Sequence, residues 1–205
     1  MDLSKYDNLD FPEHLKKLVS LAVKADKKCK VFGSEKYKYK FNPTVSLTDV
    51  HEFEEKHKIK IPDSLVRYLT EIGNGGAGVD YGIYSLEKMR ITNSDSEKTI
   101  FDYENYEEVW KNLVTEYDNT DNEDTYEQLI NGLLVIGTAG CTLDYVLVCK
   151  GKHYGKVAIA DWNMFEDNPP HILSDSFESW IETYFIKIIQ GNLTDWGSFK
   201  TVNKD

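Results

Sequence analysis

The fold of this chain is decided by one stretch of sequence, Ile61-Pro62-Asp63-Ser64-Leu65-Val66-Arg67-Tyr68-Leu69-Thr70-Glu71-Ile72-Gly73-Asn74-Gly75-Gly76. Proline is favourable at the start of a helix, because the N–H that it lacks would have no partner there. An apolar stripe at helical spacing follows, formed by Leu65, Tyr68, Leu69 and Ile72. Gly73 is expected to end the helix in the left-handed conformation, and the next three residues supply further positive-φ positions. The stretch therefore predicts a short helix that turns directly into a β-strand.

Further segments follow in a fixed order. Strand patterns are carried by Leu134-Val135-Ile136-Gly137 with Gly140, by Asp144-Tyr145-Val146-Leu147 and by Gly155-Lys156-Val157 through Asp161. A helix pattern is carried by Ser176-Phe177-Glu178-Ser179-Trp180-Ile181. Together with residues 61–76, these segments resemble the SUKH superfamily, the domain of bacterial toxin-immunity proteins and of a fungal cell-wall-synthesis regulator. The resemblance covers residues 47–189.

Helices at both ends with strands between them imply an α+β fold, and so does the resemblance. We expect a single mixed or antiparallel β-sheet flanked by helices. The chain divides into an N-terminal helix and extended link (1–45), a SUKH-like domain (46–190) and a C-terminal tail (191–205). Within the domain, the resemblance assigns a structural role to a turn motif made of Pro62, Gly73, Asn74, Gly75 and Gly76.

In the first half of the chain, a helix is predicted over 12–30, and its lysine-rich end suits the negative pole of the helix dipole. Residues 36–41 alternate lysine with aromatic residues and predict a short strand or extended link. Ser46 with Asp49 predicts a capping box for a helix through residue 57. A strand is predicted near 79–84.

In the second half, a helix is predicted over 103–117, followed by a polar, acidic loop at 118–124. The helix carries an aromatic and aliphatic stripe, which we interpret as core rather than as a ligand platform. Three strands are predicted at 133–136, 143–149 and 156–160, the last two as an antiparallel hairpin. Asp175 with Glu178 is predicted to cap the final helix.

The composition indicates one ordinary globular domain. The chain has 205 residues, 40% of them hydrophobic, and no apolar run approaches the length that spans a bilayer. The N-terminus lacks the basic start and apolar core of a secretory signal, so a cytoplasmic location is expected. Three cysteines, an odd number without a C-x-x-C pair, argue against a disulfide framework.

The net charge of −11 is concentrated in one segment. Residues 92–128 carry 12 acidic and 2 basic side chains, whereas residues 1–91 carry 14 acidic and 16 basic ones. An acidic surface repels phosphate backbones, so nucleic acid is not an expected partner. A membrane is not expected either, since no apolar run is long enough to span a bilayer. The expected partner is a basic protein.

No pattern of catalytic residues stands out. Residues 73–78 match G-x-G-x-x-G, but a helix precedes the glycines and a strand follows, the reverse of a dinucleotide site. His51 and His57 are six positions apart and do not share a helix face, which argues against a zinc site. No nucleophile lies in a motif of known mechanism. We expect no metal, no cofactor and no enzymatic activity.

Two groups of residues are candidates for contacts with a protein partner. The first is acidic and lies on the back of the predicted helix and in the loop after it; it consists of Glu104, Glu108, Glu116, Asp118, Asp121, Glu123 and Asp124. These carboxylates form either a docking surface or merely a solvated face. The second group lies at predicted strand ends and loops, namely Asp80, Tyr81, Tyr84, Asp144, Asp161 and Trp162. For Asp144 and Asp161, strand-end capping is an equally good interpretation.

The resemblance implies an immunity protein that binds and neutralises a cognate toxin, such as a basic nuclease domain, through the acidic surface. The alternative is a regulatory or scaffold protein of the cell-wall-regulator type, with no toxin partner. The sequence does not identify the toxin, the oligomeric state or the role of the lysine-rich N-terminal helix.

Overall fold

The computed structural model describes residues 3–163 and 168–192, which contain seven helices and five strands. The helices are α1 (Phe11–Ala25), α2 (Ser34–Tyr37), α3 (Leu47–His57), α4 (Asp63–Arg67), α5 (Tyr106–Thr120), α6 (Glu123–Ile130) and α7 (Phe177–Gln190). The strands are β1 (Arg90–Ile91), β2 (Leu133–Gly140), β3 (Leu143–Val148), β4 (Val157–Asp161) and β5 (His171–Ser174). None of the helices in the described part combines the length and the apolar character needed to cross a membrane.

The five strands form one antiparallel sheet in the order β1-β2-β3-β4-β5, so each strand pairs with its neighbour along the chain. Val146 lies opposite Val135 on one side and Ala158 on the other, which places β3 in the centre. The α+β fold with a single antiparallel sheet is thereby confirmed. The predicted hairpin of β3 and β4 is confirmed as well.

Both faces of the sheet are buried, because β2 and β3 carry nearly continuous apolar runs rather than alternating ones. Side chains alternate between the two faces of a strand, so the runs divide into two cores. The first core contains Leu134, Ile136, Tyr145 and Leu147 and is covered by α1, α4 and α7. The second core contains Leu133, Val135, Val146 and Val148 and is covered by α5 and α6.

The stretch that opens with Pro62 is a helix, as predicted. Pro62 immediately precedes α4, and the helix continues as a π-helix over Tyr68–Ile72. The predicted left-handed conformation of Gly73 is wrong, since its φ of 173° is extended. Gly73 is needed for a different reason: a Cβ there would lie 2.5 Å from the Cβ of Phe41. Gly75 and Gly76 do adopt positive φ, at 79° and 112°.

Asn74 connects this turn to the rest of the molecule. Its side-chain Oδ1 accepts a hydrogen bond of 2.6 Å from the N–H of Leu86, and its Nδ2 donates to the Glu87 carboxylate at 3.2 Å. Its backbone carbonyl accepts from the side-chain amide of Asn42 at 2.9 Å. The Asn74 side chain therefore ties the turn to residues 86–87, and its backbone carbonyl ties the turn to Asn42.

The N-terminal segment shares the first core with the rest of the molecule. Leu15 and Leu18 of α1 are fully buried, and α1 packs against α7. Residues 1–45 therefore do not form a core of their own. Most of the predicted tail, residues 193–205, lies outside the described residues.

The predicted helix over 12–30 is too long, because α1 ends at Ala25. The Asp26 carboxylate accepts hydrogen bonds from the N–H groups of Lys30 and Val31, at 2.7 and 3.0 Å. This local turn competes with continued helix. Residues 36–41, predicted as a strand or extended link, begin with the end of α2. Two residues with positive φ follow, and Phe41 then forms a single β-bridge with Gly76.

Other boundaries also differ from those predicted. Residues 79–84 form no regular strand; Asp80 and Gly82 have positive φ, and only Ile83 pairs with neighbouring chain. The helix predicted over 103–117 begins at Tyr106 and extends through the first part of the expected loop, whose last residues begin α6. Ser176, not Asp175, caps α7. The capping box at Ser46 and Asp49 is confirmed.

We expect Asn74→Ala to lower the free energy of unfolding by about 1–3 kcal/mol, because the buried N–H of Leu86 would lose its acceptor. The exposed Asn105→Ala is the matched control and should change stability by less than about 0.5 kcal/mol. Urea unfolding measures both. Equal midpoints for the two variants would show that Asn74 does not hold the turn.

Asp26 provides a prediction about pH. Burial acts to raise its pKa, but hydrogen bonds from the backbone of Lys30 and Val31 and from the hydroxyls of Tyr39 and Ser34 outweigh it and hold the pKa below its ordinary value. Because the pKa of Asp26 is lower in the folded state, its ionised carboxylate stabilises the fold. This contribution to the free energy of unfolding is complete above the pKa of an unfolded aspartate, about 4, and is lost as the pH falls through the pKa of the folded state.

Asp26→Asn should therefore cost about 2 kcal/mol at pH 7, the order of magnitude for hydrogen bonds to a charged group. The difference from the parent protein should shrink as the pH falls below about 4. Asp7→Asn, at an exposed carboxylate, serves as the control. A constant difference across the pH range, measured by urea unfolding, would contradict this account.

Candidate protein-binding surface

Helix α5 is held by the second core and presents its acidic side outward. Tyr106, Trp110 and Val114 recur every four residues and are buried against the sheet. The rings of Phe101 and Tyr106 lie 5.2 Å apart and add to this packing. The interpretation of the aromatic stripe as core is confirmed for these three positions, whereas Tyr103 lies before the helix and is exposed.

All seven acidic candidates lie on the outside of the molecule. Each is exposed, and they run along α5, through the turn at Asp121 and into the first turn of α6. We call this set, Glu104, Glu108, Glu116, Asp118, Asp121, Glu123 and Asp124, the acidic face. Because two packed helices carry it, its backbone is fixed by the second core.

The described part of the chain supplies few cations that pair with the carboxylates of the acidic face. Its one ion pair with another described residue is between Glu104 and Lys152, at 3.8 Å, and both side chains are exposed. Exposed pairs of this kind contribute little. Two carboxylates accept hydrogen bonds from neutral groups: Glu108 from Asn105 at 2.9 Å, and Glu116 from Thr125 at 3.1 Å.

Helix dipoles explain some of these charges but not all. Glu123 and Asp124 lie in the first turn of α6, where carboxylates are favoured, and Asn122 caps the helix by accepting from the Asp124 N–H at 3.0 Å. Asp118 lies in the last turn of α5, which carries no basic residue. A carboxylate there is disfavoured by about 0.3–1 kcal/mol. The charge at Asp118 therefore does not serve stability.

A shallow depression of about 410 Å³ lies at the start of the acidic face. Glu104, Glu107 and Glu108 line it together with Lys111 and the edge of Tyr106. Three carboxylates and one ammonium group line it, so its net negative charge is suited to a cationic side chain of a partner.

Asp144 and Trp162 form a second cluster on the same side of the sheet as α5. The Asp144 carboxylate accepts from Nη2 of Arg90 at 2.7 Å and from the indole N–H of Trp162 at 2.9 Å. The Arg90 guanidinium also lies over the Trp162 ring, 5.8 Å from its centroid. Asp144 is mostly buried, so its role in this cluster is to hold Arg90 and Trp162 in place.

Asp80 and Asp161 have internal roles. Asp80 is 6% exposed and accepts a 2.6 Å hydrogen bond from the Tyr145 hydroxyl. Burial and the Asp80 charge raise the pKa of Tyr145, which therefore remains a donor. Asp161 accepts from the Thr142 hydroxyl at 2.7 Å and from the Asn163 N–H at 3.2 Å, which ties the end of β4 to the β2–β3 turn. Both carboxylates accept hydrogen bonds from within the molecule, and Asp80 is buried.

Tyr81 and Tyr84 line a groove that shares no lining residue with the depression at the acidic face. Tyr84 packs against both cores, the second of which is covered by α5 and α6. Tyr81 is 39% exposed. The predicted partner contacts therefore divide between two surfaces.

Three functional candidates were missed from the sequence. Arg90 lies in β1, which is too short to produce a strand pattern. Lys36 and Lys88 line the groove beside Tyr81 but are distant from each other in sequence. The alternation of lysine and aromatic residues at 36–41 was the one available signal.

The described residues contain no group of three or more histidine, cysteine, aspartate or glutamate side chains placed to hold a metal ion. The three cysteines are free thiols. Burial raises the pKa of the Cys149 thiol, so this group is an interior hydrophobe at neutral pH.

Comparison with protein families identifies a family to which this chain is similar. The model of the SMI1 / KNR4 family (SUKH-1) matches residues 44–183, which span the sheet, α3 to α6 and the first half of α7. No curated protein sequence matches the chain. The matched region covers more than half of the chain and coincides with the predicted resemblance, so this protein belongs to the SMI1/KNR4 family (SUKH-1).

Proposed function

We propose that this SUKH-1 protein is an immunity protein. In this proposal it is a non-catalytic cytoplasmic protein that binds a basic toxin, such as a nuclease domain, and covers the toxin's cationic surface with the acidic face. The family membership supports a protein-binding role, since immunity proteins are common in the superfamily.

One observation carries the proposal: the acidic face is exposed and rigidly supported, and within the described part of the chain it forms one ion pair, between Glu104 and Lys152. A surface that served only solubility would not need its charges in one segment of net charge −10 on two adjacent helices. Asp118 is the clearest case, because its position in α5 costs stability.

The mechanism would be steric and electrostatic. A nuclease presents cationic side chains in order to hold phosphates, and a fixed row of carboxylates competes for that surface. Complementary charge also speeds encounter, by roughly 10- to 1,000-fold. In this proposal Trp162, which packs against the second core and donates to Asp144, adds an apolar contact.

The alternative, a regulatory or scaffold protein without a toxin, makes a different prediction about the partner. Under the immunity proposal, the protein encoded by the neighbouring gene ends in a basic domain and copurifies with this chain. Under the alternative, no neighbouring gene encodes such a domain.

The association rate with that partner should fall about tenfold in the double variant Asp118→Lys/Asp121→Lys at low salt, because four units of charge change at the acidic face. At about 1 M salt, where the Debye length is about 3 Å, the two rates should converge. Stopped-flow fluorescence measures them. The positions lie at the C-terminal end of α5, where lysine is compatible with the helix.

The matched control is Asp7→Lys/Glu55→Lys, which makes the same change in net charge at exposed positions outside the acidic face. It should slow association much less than the first variant. Equal slowing by both variants would mean that only net charge matters and that the acidic face is not the docking surface.

Stability should respond oppositely to charge reversal at the two ends of α5. Asp118→Lys should raise the free energy of unfolding by about 0.3–1 kcal/mol, and Glu107→Lys, in the first turn, should lower it by a similar amount. Urea unfolding at low ionic strength measures both. If Asp118→Lys destabilises the protein instead, the carboxylate has a structural role and the argument from Asp118 fails.

A further inference from the structure

A groove lined by lysines and tyrosines runs across the surface at the end of the sheet, away from the acidic face. Two depressions of about 440 Å³ each meet at Lys36 and Tyr81, which line both. One depression is lined by Lys36, Tyr37, Asn42, Tyr81, Tyr84 and Lys88, and none of its described lining side chains is acidic. The other is lined by one acidic residue, Glu35, together with Lys30 and Lys36. We call the two depressions together the Tyr81 groove.

Tyr81 is exposed but fixed in position. Its ring packs edge-on against Phe32, with centroids 5.2 Å apart and planes at 86°. It also lies over Gly140, where a Cβ would come within 2.9 Å of the ring. The preceding residue, Asp80, is held in the left-handed conformation and bonded to the buried Tyr145. An exposed aromatic ring that is already ordered can contact a partner at little entropic cost.

The charge around the groove is positive. Seven lysines between residues 24 and 40 are exposed, and none forms an ion pair with another described residue. The same segment contains two acidic residues, and one of these, Asp26, directs its carboxylate inward to Tyr39, Ser34 and two backbone N–H groups. Lys36 lies over the Tyr37 ring, 4.9 Å from its centroid, which orders its ammonium group beside the groove.

The groove also offers neutral hydrogen-bond donors. Burial raises the pKa of Tyr84, and the Asp144 charge raises it further, so its hydroxyl stays protonated at neutral pH. The Asn42 amide lines the same wall and has a second hydrogen besides the one donated to the Asn74 carbonyl, whereas the Ser85 hydroxyl bonds the Glu87 carboxylate. Lysine ammonium groups and neutral donors together are suited to carboxylate oxygens.

We propose that the Tyr81 groove binds an acidic segment of a partner protein in extended conformation, with carboxylates at Lys36 and Lys88 and an apolar side chain against Tyr81. Because the two depressions adjoin each other, they fit an extended peptide segment better than a compact ligand. A long polyanion such as nucleic acid would extend beyond the groove over the surface of a protein of net charge −11, whereas a short acidic segment stays within it. The inference does not rest on the proposed immunity function, which uses the acidic face.

The probe is a fluorescein-labelled nine-residue peptide with eight acidic residues around one central tryptophan. Fluorescence anisotropy at about 50 mM salt should give a dissociation constant below about 1 mM. A nine-nucleotide single-stranded DNA of equal charge should bind at least tenfold more weakly. No peptide binding up to about 1 mM, or equal or tighter binding of the DNA, would overturn the proposal.

Two variants assign the binding to the groove. Lys36→Glu/Lys88→Glu should weaken peptide binding at least tenfold, and Tyr81→Ala at least fivefold. The controls are Lys16→Glu/Lys56→Glu and Tyr154→Ala, at exposed positions outside the groove. Lys36→Gln/Lys88→Gln is a milder replacement in case charge reversal impairs folding. Equal effects of groove variants and controls would contradict the assignment, whereas loss in the groove variants alone would support it.

Discussion

Burial of both faces of the central strands is the constraint on which the rest of this structure depends. Leu134 and Ile136 of β2 point into one core, and Leu133 and Val135 point into the other. Helices must therefore cover both faces of the sheet. α1, α4 and α7 cover one, and α5 and α6 cover the other. The layered arrangement follows from the apolar character of β2 and β3 alone.

This arrangement separates the charges of the chain in space. The acidic residues of 92–128 follow α5 and α6 to one side of the sheet, and the lysines of the N-terminal segment follow the first core to the other. Neither group has many opposite charges within reach among the described residues. The result is a molecule with two surfaces of opposite charge, each held by its own core. A partner that binds one surface leaves the other accessible.

Much of the fold was predictable from the sequence, because long apolar patterns distinguish helices from strands. The helix after Pro62, the capping box at Ser46 and the hairpin of β3 and β4 all follow from local rules and were confirmed. β1 and β5 were missed, since strands of two and four residues depend on their neighbours for pairing. The conformation of Gly73 was wrong because the constraint on it is contact with Phe41, distant in sequence.

The acidic face and its exposure were predictable, because the carboxylates lie on the side of the α5 pattern away from its apolar stripe. The internal role of Asp80 was not predictable. Its partner is Tyr145, 65 positions away in sequence, and no local pattern shows a contact of that range.

Carboxyl-group labelling with and without the bound partner tests the central claim most directly, because each carboxylate of the acidic face is its own probe. Carbodiimide-mediated labelling followed by mass spectrometry should show strong protection of Asp118, Asp121, Glu123 and Asp124 in the complex, with Asp7 and Glu55 unchanged. Undiminished labelling of the acidic face in a saturated complex would contradict the account.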